Sequence, residues 1–282
     1  MTIPTTQNDT TREHSSWFGS LRATKPLLMT WGGLVFIGQW FFAAYIFAQF
    51  MWPWLASTIT PEAFSHMIKG HVEGDSLGNA VMLAHLLPVF VLSGFGVLQL
   101  VPKIRNASPK FHRWNGRVFL VIGLLGAFSG LWLTWGRDTR LSDIGALGIT
   151  LNGLLIPIAV AFAWHFARQR NFAMHMRWAL HAFILINGVW TLRLMLMGWF
   201  MLNQGPNGNN ATLDGPADIA FSYLCYLLPM AMIELYWWAK NKTSTAKAWV
   251  LNTSLVLMIV ITAVGVSGAT MLMWLPRIGA AF

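Results

Sequence analysis

The sequence predicts an all-α, polytopic membrane protein, and three observations predict it. Of 282 residues, 55% are hydrophobic and only 10% charged, whereas a soluble domain carries about 25% charged residues. The apolar residues gather into seven runs, at about 27–51, 78–101, 114–136, 144–166, 176–200, 218–239 and 249–274. Each is close to the ~20 residues that carry a helix across the hydrocarbon. With the N-terminus inside, fourteen of the nineteen Lys and Arg fall in inner segments, four (Lys69, Arg137, Arg140, Arg277) fall outside, and Arg193 lies within a run. That asymmetry is the positive-inside pattern, so the expected orientation is N-terminus in the cytoplasm and C-terminus outside.

Residues 1–26 are expected to be a cytoplasmic tail and interfacial segment, polar at first and then anchored by Trp17, Phe18 and Leu21 beside Arg22 and Lys25. Residues 27–282 form the seven-helix transmembrane domain. The runs 78–101, 114–136, 144–166 and 176–200 carry most of the polar residues and are expected to form a four-helix core. The runs 27–51 and 249–274 are nearly featureless and read as peripheral packing helices, with small-residue contacts at Gly265 and Gly268. None of the apolar helices looks broken, which argues against a typical secondary transporter.

The connections add little chemistry. Residues 52–77 contain Glu62, His66, His71, Glu73 and Asp75, but His66 and His71 are five apart and off a common helical face, so a solvated loop is the better reading than a metal site. Residues 203–217 are rich in Gly and Asn and read as a flexible loop. Cys225 is alone, so no disulfide framework exists. The net charge of +9 is scattered between apolar runs rather than gathered in one domain, which argues for topology and against a nucleic-acid partner. The cationic stretch from Phe111 to Arg117 lies between two runs and is expected to be a hinge at the cytoplasmic surface.

Ionisable groups at membrane depth are costly and tend to face the interior of a bundle, which makes each a functional candidate. At ~1.5 Å per residue, His85, Ser129, Asn152 and Arg193 fall at nearly one depth toward the outer side. A guanidinium there needs a partner, water or an anionic ligand, so these four are candidate substrate-binding residues; Ser129 and Asn152 can equally serve as interhelical hydrogen bonders. A second, inner layer holds Gln99, His112, Arg113, Arg117, His165, Arg168, His175, Arg177 and His181. Here His112 with His175 or His181 could ligate a haem iron from opposite sides, and Arg113, Arg117 and Arg177 could contact propionates or a substrate's anionic group. Glu234, near the inner end of its run, is expected to snorkel or pair with Lys240.

His85, Gly96 with Gln99, the stretch Arg105 to Arg117 containing His112-Arg113-Trp114 and Gly116-Arg117, His175 with Trp178, and Thr191-Leu192-Arg193 together resemble the DUF2306 family of predicted bacterial membrane proteins over roughly residues 80–200. The resemblance implies a bacterial cytoplasmic (inner) membrane and no established chemistry. This chain departs from the family pattern at His181, where arginine is usual, and at Asn115, where an apolar residue is common. A looser similarity is to four-helix b561-type cytochromes, whose facing helices supply paired histidines; only the inner layer can meet that pattern, because His85 would face Asn152.

Three functions stay open at this stage. The first is a redox or quinone-handling protein with haem b at the inner layer. The second is a transporter or binding protein for an anionic small molecule at the outer His85–Arg193 layer. The third is an assembly factor for a membrane-protein partner. The lipid bilayer is common to all three.

Overall fold

The computed structural model describes residues 17–64 and 67–280, and every long element in them is helical. The expected tail with Arg12, and His66 in the outer loop, lie outside the described residues. Apolar sequence dictates helix here because a chain in hydrocarbon must satisfy its backbone polar groups internally. Six helical units are long and apolar enough to span: α1 (Leu21–Leu55), α2 (Ser76–Leu100), α3 (Pro109–Gly136), α4 (Asp143–Arg168), α7 (Pro216–Lys240) and α8 (Thr245–Gly279). The fifth apolar run is two helices, α5 (Phe172–Ile186) and α6 (Gly188–Asn203), meeting at 58°. The expectation of unbroken spans is therefore corrected. Asn187 leaves helical geometry (φ −92°, ψ 13°), its side-chain amide bonding back to the Phe183 carbonyl, and Gly188 follows.

Loop residues set the ends of these helices. Side chains of Asp75, Ser142, Asn171 and Ser244 each accept a hydrogen bond from the backbone three residues on, capping α2, α4, α5 and α8. Pro109 opens α3, where its missing N–H costs nothing. The cationic stretch Phe111–Arg117 thus forms the first turns of α3, and the hinge is instead a short helix, Pro102–Ala107, joined through Ser108. Trp17–Gly19 makes a tight turn docked on α8, with the Phe18 and Trp249 rings 4.7 Å apart and Asn252 Nδ2 donating to the Phe18 carbonyl.

The outermost helices by sequence are not peripheral. α6 packs on α8 with backbones nearly touching at Gly198, Gly265 and Gly268, and α1 packs on α8 and on α2. Gly38 of α1 admits the Trp190 ring of α6, whose Nε1 donates to the Gly38 carbonyl. One buried cluster accordingly joins Phe42, Tyr45 and Phe50 of α1, Met82 of α2, Trp190 and Leu194 of α6 and Trp274 of α8. α4 lies between α3, α5 and α7 around a second cluster that includes Ile156, Leu185 and Tyr226. Three helices carry a π-turn near the same end of the bundle, the outer end by the expected orientation: Phe47–Met51 in α1, Trp132–Gly136 in α3 and Thr270–Trp274 in α8. Such turns recur at functional sites.

Arg137, counted only as a loop cation in the sequence, ties that end together. Its side chain is 4% exposed and donates to Asp75 Oδ2 (2.8 Å), Asn79 Oδ1 (2.8 Å) and the carbonyls of Lys69 and Gly70. The Arg137 hydrogen bond, with help from the Gly78 N–H, holds the Asp75 carboxyl below its ordinary range. A depressed carboxyl contributes stability that is complete above its unfolded value of about 3.9 and lost as pH falls through the folded value. Arg137→Ala should lower the thermal midpoint by about 4 °C or more, and acidification below about pH 4 should loosen the 67–79 segment in wild type but not further in Asp75→Asn; limited proteolysis reads both.

Candidate functional site

The outer layer is partly assembled as the sequence suggested. His85 Nδ1 and Ser129 Oγ lie 2.8 Å apart, and the imidazole packs over Gly130, where a Cβ would approach it to 3.1 Å. Arg193 lies within electrostatic reach of His85, Tyr45 and Arg277. It stacks over the Phe42 ring at 5.6 Å and donates one hydrogen bond, to the Val189 carbonyl in its own helix. Arg277, from the far end of α8, donates to Tyr45 Oη at 3.1 Å. Among the described residues neither guanidinium is paired with a carboxylate. Trp274 is 0% exposed, its ring 5.6 Å from Phe42, and its Nε1, like Thr270 Oγ1 in the same π-turn, is buried with no hydrogen-bond partner.

Arg193, Leu196, Met197 and Phe200 follow the i, i+3, i+4, i+7 spacing of one helical face. The last three line a cleft of ≈ 550 Å³ between α6 and the 206–218 segment. That segment is ordered by Asp218, which accepts from Asn209 Nδ2 (2.6 Å) and the Asn210 N–H (2.9 Å). The face carrying Arg193 therefore continues into an opening.

Asn152 does not join this layer. Its amide lies against Gly188, so closely that a Cβ there would fall 2.0 Å from Nδ2. On α1, Gln39 Nε2 donates to Asn187 Oδ1 at 3.0 Å. The α5–α6 break is thus bracketed by amides from α1 and α4.

The inner layer divides. Arg177 presents its fork to Glu234, with Nε on Oε1 at 2.8 Å and Nη2 on Oε2, and His181 Nε2 meets Glu234 Oε1 at 2.7 Å. Glu234 is thus paired with Arg177 and His181 rather than with Lys240, whose ammonium sits over the Tyr236 and Trp237 rings. A cavity of ≈ 230 Å³ opens beside the pair, lined by Arg177, Glu234, Trp237, Trp238 and Asn241. His175 Nδ1 lies 2.9 Å from the Ala163 carbonyl, and the Nδ1 atom of His112 is buried without a partner. Arg113 and Arg117 are exposed, Arg117 over the Trp114 ring at 5.1 Å. Gln99 packs against Gly116, and Asn115 Nδ2 donates to the Phe95 carbonyl.

The family described as "Predicted membrane protein (DUF2306)" matches residues 82–237, more than half of the chain. The chain belongs to the DUF2306 family. No curated protein and no solved structure matches this sequence. The DUF2306 region spans most of α2 through most of α7 and contains His85, His112, Arg193 and Glu234, but it leaves out α1 and α8. In this DUF2306 protein those two helices supply Gln39, Tyr45, Thr270 and Trp274, polar residues that sequence reasoning passed over, and Arg277, which it counted only as an outer cation. A signal existed for one of them: Gln39 is an uncharged polar residue deep in an apolar run.

Proposed function

We propose that this membrane protein binds an anionic small molecule, bearing a carboxylate or phosphate, at Arg193. The observation that carries the reading is a guanidinium about ten residues, or ~15 Å, from the end of its helix, without a carboxylate partner among the described residues and with a second guanidinium, Arg277, close by. Two like charges close together, one of them at membrane depth, are stabilised by an anion between or beside them. An arginine fork is suited to two parallel hydrogen bonds to such a group. The Trp274 and Thr270 donors add unmet capacity. The broken fifth span supports a transporter as the form this binding takes, since discontinuous helices commonly build substrate sites near the bilayer midplane.

The test is thermal unfolding of detergent-purified protein against mono- and dicarboxylates, phosphate and sulfate at constant ionic strength. A true ligand at 100 times its Kd should add about 2.7 kcal/mol of stability. Arg193→Gln should erase that gain; a gain undiminished in Arg193→Gln refutes the reading. The charge bias supports a cytoplasmic N-terminus, and the resemblance to bacterial membrane proteins supports a bacterial inner membrane.

A second reading is a redox role with haem b at the inner layer, and one observation favours it. His175 engages the Ala163 carbonyl through Nδ1, which leaves Nε2 as its ligating atom. His112 has a buried ring nitrogen without a partner, whereas His181 and Arg177 are committed to Glu234. The residues that would hold the iron are therefore His112 and His175, and the group would supply one-electron chemistry when bound. Protein expressed with haem supplied should show a Soret band that His112→Ala abolishes; the absence of a band in wild type ends this reading.

A further inference from the structure

We propose that the α5–α6 break binds a monovalent cation, with sodium the first candidate. The span bends by 58° at Asn187, whose φ of −92° and ψ of 13° leave helical geometry. Gln39 reaches the break from α1. It is 0% exposed and spends its Nε2 on Asn187 Oδ1, but its Oε1 has no hydrogen-bond partner. Asn187 Nδ2 donates to the Phe183 carbonyl rather than to Gln39. Asn152, from α4, is 8% exposed, presses on Gly188, and also has an unpartnered buried oxygen, Oδ1.

Two helices thus place amides whose oxygens lack donors beside one break in a third span. A buried acceptor left unmet is costly, so the arrangement persists where something supplies positive charge or hydrogen. The oxygens are hard and neutral, and none of the side chains at the break is a carboxylate. Divalent ions draw their affinity from carboxylate ligands, which makes a single positive charge the better match. Gly188 is fixed by the same geometry, since any side chain there would displace Asn152.

The cation site does not depend on the anion reading, but it bears on it. Arg193 lies five residues beyond Gly188, about 8 Å along α6, so a cation at the break would favour an anion at Arg193, and by linkage the anion would favour the cation.

The experiment compares unfolding midpoints of purified protein in sodium, lithium, potassium and choline chloride at equal ionic strength. Sodium, or another single alkali cation, should raise the midpoint saturably relative to choline. Gln39→Met should remove that selectivity, and Asn152→Asp, which places a charged oxygen at the same point, should lower the half-saturating cation concentration about tenfold. Arg193→Gln should leave the cation effect intact, and Gln39→Met should leave stabilisation by the anion measurable in choline, so the two sites fail separately. Equal midpoints in all four salts for wild type, or a selectivity that survives in both variants unchanged, overturns the proposal and leaves ordered water as the partner of these oxygens. If Gln39→Met does not fold, the Asn152→Asp shift decides alone.

Discussion

Gly268→Leu is expected to abolish recovery of monodisperse protein. A Cβ at Gly268 would stand 2.6 Å from the Met197 carbonyl oxygen and 2.9 Å from the Gly198 nitrogen, both backbone atoms of α6. Gly265 is held as closely, its Cβ position 2.9 Å from the Leu194 carbonyl oxygen, and Gly198 faces the Gly265 backbone in return. Nothing in these contacts can rotate aside; α8 would have to move off α6 as a body. In a membrane that separation is not opposed by water, because lipid tails are as apolar as the side chains, and association rests on close packing alone. Overpacking by a methyl already costs about 1–3 kcal/mol, and Leu adds three more carbons. Gly33, on α1, has open space around its Cβ position, so Gly33→Ala should keep yield and raise the midpoint slightly. Size-exclusion profiles of the two variants, expressed side by side, check the pair.

Glu234→Leu is the second large effect. His181 is 5% exposed, its Nδ1 is unpartnered, and its Nε2 meets only Glu234. Removing the carboxylate leaves a buried imidazole with neither nitrogen satisfied, which costs about 1–3 kcal/mol. The Arg177–Glu234 pair is about two-fifths exposed and contributes little by itself after solvent screening. Glu234→Gln, which can still accept from His181, should therefore lose much less than Glu234→Leu in thermal unfolding. Equal losses in the two variants would shift the weight to the ion pair.

The membrane class and the positions of the spans were legible because hydrocarbon enforces them locally. Every span had to be a run of apolar residues, and such runs are visible one at a time. The outer layer was half legible: a depth count places His85, Ser129 and Arg193 together, since helix rise is constant. The same count put Asn152 with them and was misled, because depth says nothing about which way a residue faces. Asn152 turns to Gly188. Glu234 shows the same limit. Its nearest cation in sequence is Lys240, but α7 packs against α5, and Arg177 and His181 arrive from there.

The sequence by itself determined a seven-run, all-helical membrane protein with one unusual arginine, because composition and charge bias act without reference to the rest of the chain. The tertiary structure alone decided that the fifth run breaks at Asn187, that α1 and α8 lie against it, and that Gln39, Tyr45, Trp274 and Arg277 share its surroundings. The physical reason is contact. Helices in a bilayer associate through shape, glycine against backbone, and the match of Gly198 with Gly265, 67 positions on, leaves no periodic trace in either helix.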